Sequence, residues 1–552
     1  MNKRNVIMLT VLMLSLLAGC LAVYYPSVNV KSTIFSYRRA KEDIKVISKE
    51  PHSTLYHQEA LEVVRQYIVK ELEAINMNPK VFSYKAVEND RGDIADIHNI
   101  YGKMDGKNGE AGTYILLVAH YDSAGTNPQN DEGFSHGAAD DGYGVATILE
   151  ILKNIKASDK ILKNGIKVLI TDGEEMHLVG SRQELDSNFS VYENVSYVIN
   201  LEARGSSGPV IMFQISEKNS RVLDLYKKAN FPVTSSLITD LFKESSRSDF
   251  FHMKKKGLDG INFTTLDKVE YYHTPEDSYN NISDKSLMHY GNQVLPIVEE
   301  FVYSVKYSDI DYFEKGTDSI FFTFLPNIVL DYSVSLGRVL TIIIMLIVIV
   351  LMKQNSEKMK GILKSLGKNL IQVISSFILG FIISFGLANV SGVNFILNHM
   401  GKVPGDDFFA IVLPLFVFLF MFRLELKKKD NLREKFYAGV LMQTILLFIS
   451  IVFLPGASYL TMIPLLFLIF SLAIIRIITI DILKYTLLFA IATMIILYVP
   501  LLYILHIAFS IGALPFIFAM FMIMKSLIIP VILYLYDSSP RKADETSNQE
   551  NI

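Results

Sequence analysis

Residues 113–123 read TYILLVAHYDS, a short apolar run that ends in a histidine and an aspartate. Similar apolar runs recur at 168–171 and 198–201, and stretches with helical spacing separate them. Apolar runs of this length are typical of buried parallel strands. Because reactive groups collect at the carboxyl edge of an open α/β sheet, we expect the polar residues after these runs to meet there. The pattern predicts an α/β fold with a mostly parallel central sheet flanked by helices.

Five potential metal ligands lie along this half of the chain, most of them just past an apolar run. They are His120, Asp140, Glu175, Glu202 and His273. Nitrogen and oxygen ligands without sulfur suit zinc. Five ligands are too many for one tetrahedral ion, but they suffice for two ions if one carboxylate bridges them. Asp140 is the natural bridge because its Gly-rich turn, GAADDGYG, allows close backbone approach. We therefore predict two Zn²⁺ ions per chain.

Two further acids complete a catalytic arrangement. Asp122 follows His120 by two residues, so its carboxylate can reach the other imidazole nitrogen and fix the tautomer. If Glu175 binds metal, the adjacent Glu174 can face the attacking water and act as general base. Each motif alone is common surface sequence, but their conjunction near strand ends favours a site. We predict Glu174 and Asp122 as the catalytic residues.

The motifs AHYDS, GAADDGYG, TDGEEMHLVGS, NLEARGSSGP and YYHTPEDS together resemble the M28 family of zinc metallopeptidases. The resemblance covers residues 34–305 and implies the zinc-exopeptidase fold, the five metal ligands named above and the roles given to Glu174 and Asp122. It also implies a cis peptide between Asp140 and Asp141. Glu202 occupies a position where the soluble bacterial aminopeptidases carry Asp. The NLEARG form is similar to a membrane-anchored subgroup with a multispan C-terminal region.

The composition indicates a membrane protein. Half of the 552 residues are hydrophobic, which is too apolar for an ordinary soluble protein. The net charge of −3 gives no reason to expect nucleic acid as a partner. The single cysteine, Cys20, excludes a disulfide framework and a thiolate zinc site in the folded domain. We expect peptide substrates and membrane lipid as partners.

The first 30 residues allow two interpretations. Lys3 and Arg4 precede roughly twenty apolar residues, enough to span a bilayer. LAGC at 17–20 resembles a bacterial lipoprotein signal, with Cys20 as the lipidated residue. An uncleaved signal anchor is favoured because the apolar character continues past Cys20. Both interpretations place the following domain outside the cytoplasm.

The second half of the chain contains about seven further apolar stretches of membrane-spanning length. They cover residues 335–352, 370–390, 408–422, 437–454, 458–475, 485–506 and 511–535. Lys-rich and Arg-rich loops after the first stretch and near 423–436 alternate with weakly charged loops near 391–407 and 455–458. The positive-inside rule then predicts a cytoplasmic N-terminus, an external soluble domain and a cytoplasmic C-terminus.

These boundaries define five parts of a multi-pass cell-membrane protein. They are an N-terminal signal anchor or lipoprotein signal (1–30), an extracytoplasmic M28-like domain (31–310), a connecting segment (311–334), an all-α transmembrane region (335–536) and a cytoplasmic polar tail (537–552). Ionisable residues in or beside these spans are few; Arg476, His506 and Lys525 are among them, and they form no polar relay of the kind that pumps use. We therefore expect the spans to serve as an anchor or to deliver substrate near the membrane surface.

The leading hypothesis is an extracytoplasmic two-zinc aminopeptidase. A single-zinc acyltransferase similar to glutaminyl cyclases is an alternative, which metal stoichiometry would discriminate. A catalytically retired receptor or scaffold is a second alternative, although such proteins typically lose ligands. Arg204, after Glu202, has two possible roles: it can pair with a substrate carboxylate or hold its own loop.

Overall fold

The computed structural model describes residues 3–26, 35–109, 112–125, 133–244, 248–392, 403, 405–427, 431–478 and 481–537. Within these residues the chain divides into two compact units. One runs from Cys20 to Val334, and the other combines the first helix with the residues from Ser335 onward. Each unit is described by itself below.

A seven-stranded sheet with the order β1-β2-β4-β3-β5-β7-β6 forms the centre of the first unit. Its strands are β1 (Lys80–Glu88), β2 (Ile94–Met104), β3 (Tyr114–His120), β4 (Gly165–Thr171), β5 (Val195–Leu201), β6 (Ile211–Ile215) and β7 (Gly260–Thr264). The strands β4, β3, β5 and β7 are parallel neighbours, whereas β1, β2 and β6 pair antiparallel. The sheet is therefore mixed, with the predicted parallel strands at its centre.

Helices cover both faces of this sheet. They are α2 (Tyr37–Ile47), α3 (Gln58–Ala74), α4 (Gly142–Ala157), α5 (Val179–Ser187), α6 (Ser220–Tyr226), α7 (Ser236–Leu241), α8 (Phe250–Lys255) and α9 (Asp284–Tyr303). Alternate residues of β3 enter two different cores: Leu117 packs in the cluster that includes residues of α2, α3, α4 and α9, and Leu116 packs with Phe250 of α8. Burial on both faces explains why β3 is apolar throughout.

The predicted connecting segment forms a two-stranded antiparallel hairpin. Its strands are β8 (Ser319–Leu325) and β9 (Ile328–Ser333). Phe321 belongs to the large core of the first unit, and Val329 packs against that core. The segment is thus part of the first unit's fold.

The second unit is helical. Its helices are α1 (Lys3–Leu21), α10 (Val334–Gln354), α11 (Met359–Val390), α12 (Leu413–Lys427), α13 (Leu432–Phe453), α14 (Tyr459–Ile477), α15 (Leu488–Phe509) and α16 (Leu514–Asp537). Six helical stretches among the described residues are long and apolar enough to cross a membrane, and the last, Ile482–Leu535, contains both α15 and α16. Asn5–Leu21 is a shorter apolar helix. Most of the predicted loop at 391–407 and nearly all of the polar tail lie outside the described residues.

Candidate metal centre

The five predicted ligands meet at the carboxyl edge of the parallel strands. His120 is the last residue of β3, and Glu202 directly follows β5. Glu175 lies four residues after β4, and His273 lies in the loop after β7. Asp140 lies in the turn that leads into α4. Because β4, β3, β5 and β7 are adjacent and parallel, their ends bring residues that are far apart in sequence to one place.

The Asp140 carboxylate lies between the two histidines. Its Oδ1 is 3.2 Å from Nε2 of His120, and its Oδ2 is 3.3 Å from Nε2 of His273. Glu202 Oε2 lies 3.7 Å from the same nitrogen of His120, and Glu175 Oε1 lies 3.0 Å from that of His273. The five side chains therefore form two groups, each with one histidine and one further carboxylate, that share Asp140.

The donor atoms in these groups fit zinc. Two ligands of one tetrahedral zinc ion lie roughly 3.3–3.6 Å apart, since each is about 2.0–2.2 Å from the metal. The four separations given above bracket that range. Asp140 Oδ2, Glu175 Oε1 and His273 Nε2 are also buried and have no hydrogen-bond partner among the described residues. Buried polar atoms without hydrogen-bond partners are available to bind a cation.

The electrostatics favour a cation as well. Burial, followed by the charge of Glu202, raises the pKa of Glu174 well above its usual range. Burial likewise raises the pKa values of Glu175 and Glu202. Burial opposes protonation of His273, but Glu175 and Asp140 outweigh it and raise its pKa to about 10. The site therefore concentrates negative charge that a bound dication would relieve.

Asp122 links His120 to the turn that carries the glutamate pair. Nδ1 of His120 lies 3.0 Å from the backbone oxygen of Asp122 and 3.4 Å from its carboxylate Oδ1. That carboxylate accepts the backbone N–H groups of Glu174 and Glu175, both at 3.1 Å. The backbone oxygen is thus the nearer partner of the imidazole, and the carboxylate fixes the turn.

Residues 99–298 match the family model described as peptidase family M28. This stretch of the chain is similar to M28 peptidases. The chain is similar to the vacuolar membrane protease of Schizosaccharomyces pombe, with 31% identity over 300 residues, which is 50% of this chain and 33% of that protein. It is also similar to the vacuolar membrane protease of Coccidioides posadasii, with 32% identity over 34% of this chain and 17% of that protein. The chain thus matches a third or less of the length of these relatives.

Two solved structures are similar to about half of the chain. A Porphyromonas gingivalis glutaminyl cyclase has 18% sequence identity and a TM-score of 0.40, covering 49% of this chain and 99% of that one. A zinc aminopeptidase from Bacillus subtilis has 17% identity and a TM-score of 0.37, covering 50% of this chain and 98% of that one.

The backbone has the feature that the resemblance implied at Asp140. The peptide bond between Asp140 and Asp141 is cis, which confirms that prediction. Asp141 caps the following helix: its carboxylate accepts the N–H of Gly144 at 2.9 Å. This hydrogen bond ties the residue after the predicted bridging ligand to the start of α4.

Asp277 holds the turn of Asp140, and the sequence motifs did not identify it. Its carboxylate accepts the N–H of Ala139 at 2.7 Å, the N–H of Asp140 at 3.3 Å and the hydroxyl of Ser135 at 3.1 Å. Since Asp277 follows His273 by four residues, it connects the loops of two ligands. Asp277 lies within the YYHTPEDS motif, and this position was the sequence signal that could have identified it.

Asn200 was missed as well. Its amide nitrogen donates to Oε1 of Glu202 at 3.3 Å and to Oδ1 of Asn262 at 3.0 Å. Asn200 and Asn262 are completely buried at the centre of the sheet. A buried amide that binds a ligand's carboxylate orients it, as partners of metal ligands commonly do.

Arg204 lies beside the loop that carries His273. Its guanidinium carbon is 5.2 Å from the centre of the Tyr272 ring, and that ring stacks on His273 with 3.7 Å between the centroids. Its backbone N–H donates to Thr265 at 3.1 Å. These contacts agree with the role of holding its own loop.

Proposed function

We propose that the chain is a membrane-anchored metallopeptidase that binds two zinc ions and removes N-terminal residues from peptides. One observation carries the proposal: the two oxygens of Asp140 face the two histidines at 3.2 and 3.3 Å, and each histidine has a further carboxylate beside it. His120 and Glu202 would hold one ion, and His273 and Glu175 the other. The match of residues 99–298 to peptidase family M28 supports the reaction class.

The chain's own residues supply the proton transfer. Zinc bound here would lower the pKa of a water molecule and polarise the scissile carbonyl. Glu174 accepts the proton of the attacking water and delivers it to the leaving amine. Burial and the charge of Glu202 raise the pKa of Glu174, so it is a stronger base than an exposed glutamate. Asp122 holds the backbone of Glu174 and so fixes where the base lies.

Preference for N-terminal residues follows from the same centre. A zinc ion held by these residues would accept a nitrogen donor such as a free α-amino group, whereas an acetylated amino group is not such a donor. We therefore expect aminoacyl amides and short peptides with free N-termini to be substrates. The alternating loop charges support an extracytoplasmic position for the domain.

The decisive experiment uses the purified full-length protein in detergent. Hydrolysis of aminoacyl amides is compared with that of N-acetylated counterparts, in the native protein and in Glu174→Gln. We expect activity on free amines only, and a loss of about 10²–10⁴-fold in kcat for Glu174→Gln with zinc content unchanged. Unchanged turnover in that variant would remove the proposed base. Cyclisation of N-terminal glutaminyl peptides with one zinc per chain would support the acyltransferase, and bound zinc without any turnover would support the retired scaffold.

A further inference from the structure

The hydroxyl of Thr54 lies between two buried carboxylates. Its Oγ1 is 2.7 Å from Oδ1 of Asp172 and 3.1 Å from Oδ2 of Asp122. Thr54 is 2% exposed, and both aspartates are fully buried. Thr54 lies in the loop before α3, and Asp172 directly follows β4. A threonine hydroxyl has one proton to donate, so it cannot satisfy two ionised carboxylates at the same time.

A second proton resolves this conflict, and the other contacts indicate where it resides. Asp122 accepts two backbone N–H groups, from Glu174 and Glu175. Asp172 accepts one, from His98 at 2.9 Å. Hydrogen-bond donors favour the charged form of a carboxylate, and two like charges that share a site cannot both ionise cheaply. The carboxyl with fewer N–H donors, Asp172, is therefore the one that keeps the proton.

We propose that Asp172 is a protonated positioning residue that holds Asp122 through Thr54. The hydrogen bonds then run in one direction: the Asp172 carboxyl donates to Thr54 Oγ1, and Thr54 donates to Asp122 Oδ2. Because Asp122 in turn fixes the turn of Glu174 and Glu175, the chain of hydrogen bonds supports the predicted base and one predicted ligand. The consequence for zinc and catalysis rests on the proposed function, whereas the proton on Asp172 does not.

Among the described residues, three ionisable groups act on Asp172 or lie beside it: Asp122, Arg65 and Tyr121. The hydroxyl of Tyr121 lies 3.4 Å from Oδ2 and also donates to the backbone oxygen of His98 at 2.9 Å. Burial, followed by the charge of Asp122, raises the pKa of Asp172 to about 7, against the opposing effects of Thr54, the His98 N–H and Arg65. Above neutral pH the Thr54 hydroxyl is therefore shared between two anions, and its hold on Asp122 weakens.

The protonation state is tested first, by infrared spectroscopy on the full-length, metal-free protein in detergent. In the difference spectrum, native protein minus Asp172→Asn, we expect the C=O stretch of a protonated carboxylic acid one pH unit below neutrality and its loss one unit above. A difference spectrum without that band would overturn the proposal whether or not the protein hydrolyses peptides. A band that is present in a protein without zinc or activity would leave this inference intact and refute the proposed function.

The positioning role is tested by zinc affinity and by the pH profile of kcat/KM. Thr54→Val should raise the zinc Kd about 10–100-fold, the usual cost of losing a partner of a metal-site residue, and Thr54→Ser should restore it. Asp172→Asn keeps a donor toward Thr54, so its Kd should stay near the native value. The kcat/KM of the native protein should decline above neutral pH, where Asp172 loses its proton. The kcat/KM of Asp172→Asn should show no such decline.

Thr147→Val is the matched control for Thr54→Val. Thr147 is fully buried in α4, and its hydroxyl has no hydrogen-bond partner among the described residues. Its substitution should leave the zinc Kd unchanged. The proposed direction of the hydrogen bonds would be contradicted if the zinc Kd of Thr54→Val equalled that of the native protein. It would also be contradicted if Asp172→Asn and Thr54→Val lost zinc affinity equally.

Discussion

The carboxylate of Asp277 accepts the backbone N–H of Asp140 at 3.3 Å, so one loop holds the residue that two histidines share. The same carboxylate accepts the N–H of Ala139 at 2.7 Å. Asp140 must present both oxygens at once, and a shift of its turn would misplace it for both proposed ions. The geometry of the predicted metal centre thus depends on Asp277, which is not one of the five predicted ligands.

Replacing Asp277 should weaken metal binding without removing a ligand. We expect Asp277→Ala to raise the zinc Kd about 10–100-fold, because the Asp140 turn loses its acceptor. Competition with a chelator in the purified protein measures this effect. Asp309→Asn is the control, since Asp309 is exposed and pairs with Lys315 at 2.6 Å. An unchanged zinc Kd in Asp277→Ala would show that the Asp140 turn keeps its conformation without Asp277.

Asn200→Ala should act on one half of the centre only. Asn200 donates to Glu202, which lies beside His120, and none of its hydrogen bonds given above reaches Glu175. We expect one of two zinc ions to bind about 10-fold more weakly, with the other unaffected. A two-site titration measures both affinities. Equal weakening of the two sites would argue for a general loss of folding.

Removing zinc should lower thermal stability. Any ligand that binds only the folded state stabilises it, by about 2.7 kcal/mol when its concentration is 100 times its Kd. We therefore expect a chelator to reduce the Tm of the native protein and of Glu174→Gln, which keeps all five predicted ligands. Asp140→Ala should show little response to the chelator. If the chelator left the Tm of the native protein unchanged, zinc binding would be contradicted.

Asp172 should make stability depend on pH. Its pKa is raised from 3.8 to about 7 in the folded protein, so the folded state keeps a proton that the unfolded state releases. The resulting stabilisation is complete below 3.8 and is lost as the pH rises through the folded value. The Tm of the native protein minus that of Asp172→Asn should therefore fall between these limits and level off above neutrality. A constant difference would mean that Asp172 has an ordinary pKa.

The sequence predicted the strands and helices that are apolar along most of their length. The apolar runs near 114–119, 168–171 and 198–201 lie within β3, β4 and β5, and each of the seven apolar stretches of the second half overlaps a helix. The edge strand β1 was not predicted, because it alternates between exposed and partly buried residues and carries no apolar run. A strand that is open to solvent is not marked by hydrophobicity alone.

The candidate site was predictable where its residues follow strands. All five ligand positions were named from motifs, most of them just past an apolar run, and the structure brings them together at one edge of the sheet. The partner residues were harder to find. Thr54 contacts Asp122 across 68 residues of sequence and Asp172 across 118, and no local pattern encodes such a contact. Only the packing of the folded chain brings these groups together.

The central claim is that Asp140 is shared by two zinc ions, and zinc content tests it most directly. Elemental analysis of the purified native protein and of three alanine variants gives zinc per chain. Two ions are predicted for the native protein, one each for Glu175→Ala and Glu202→Ala, and none for Asp140→Ala. One ion in the native protein, or one retained by Asp140→Ala, would contradict the account.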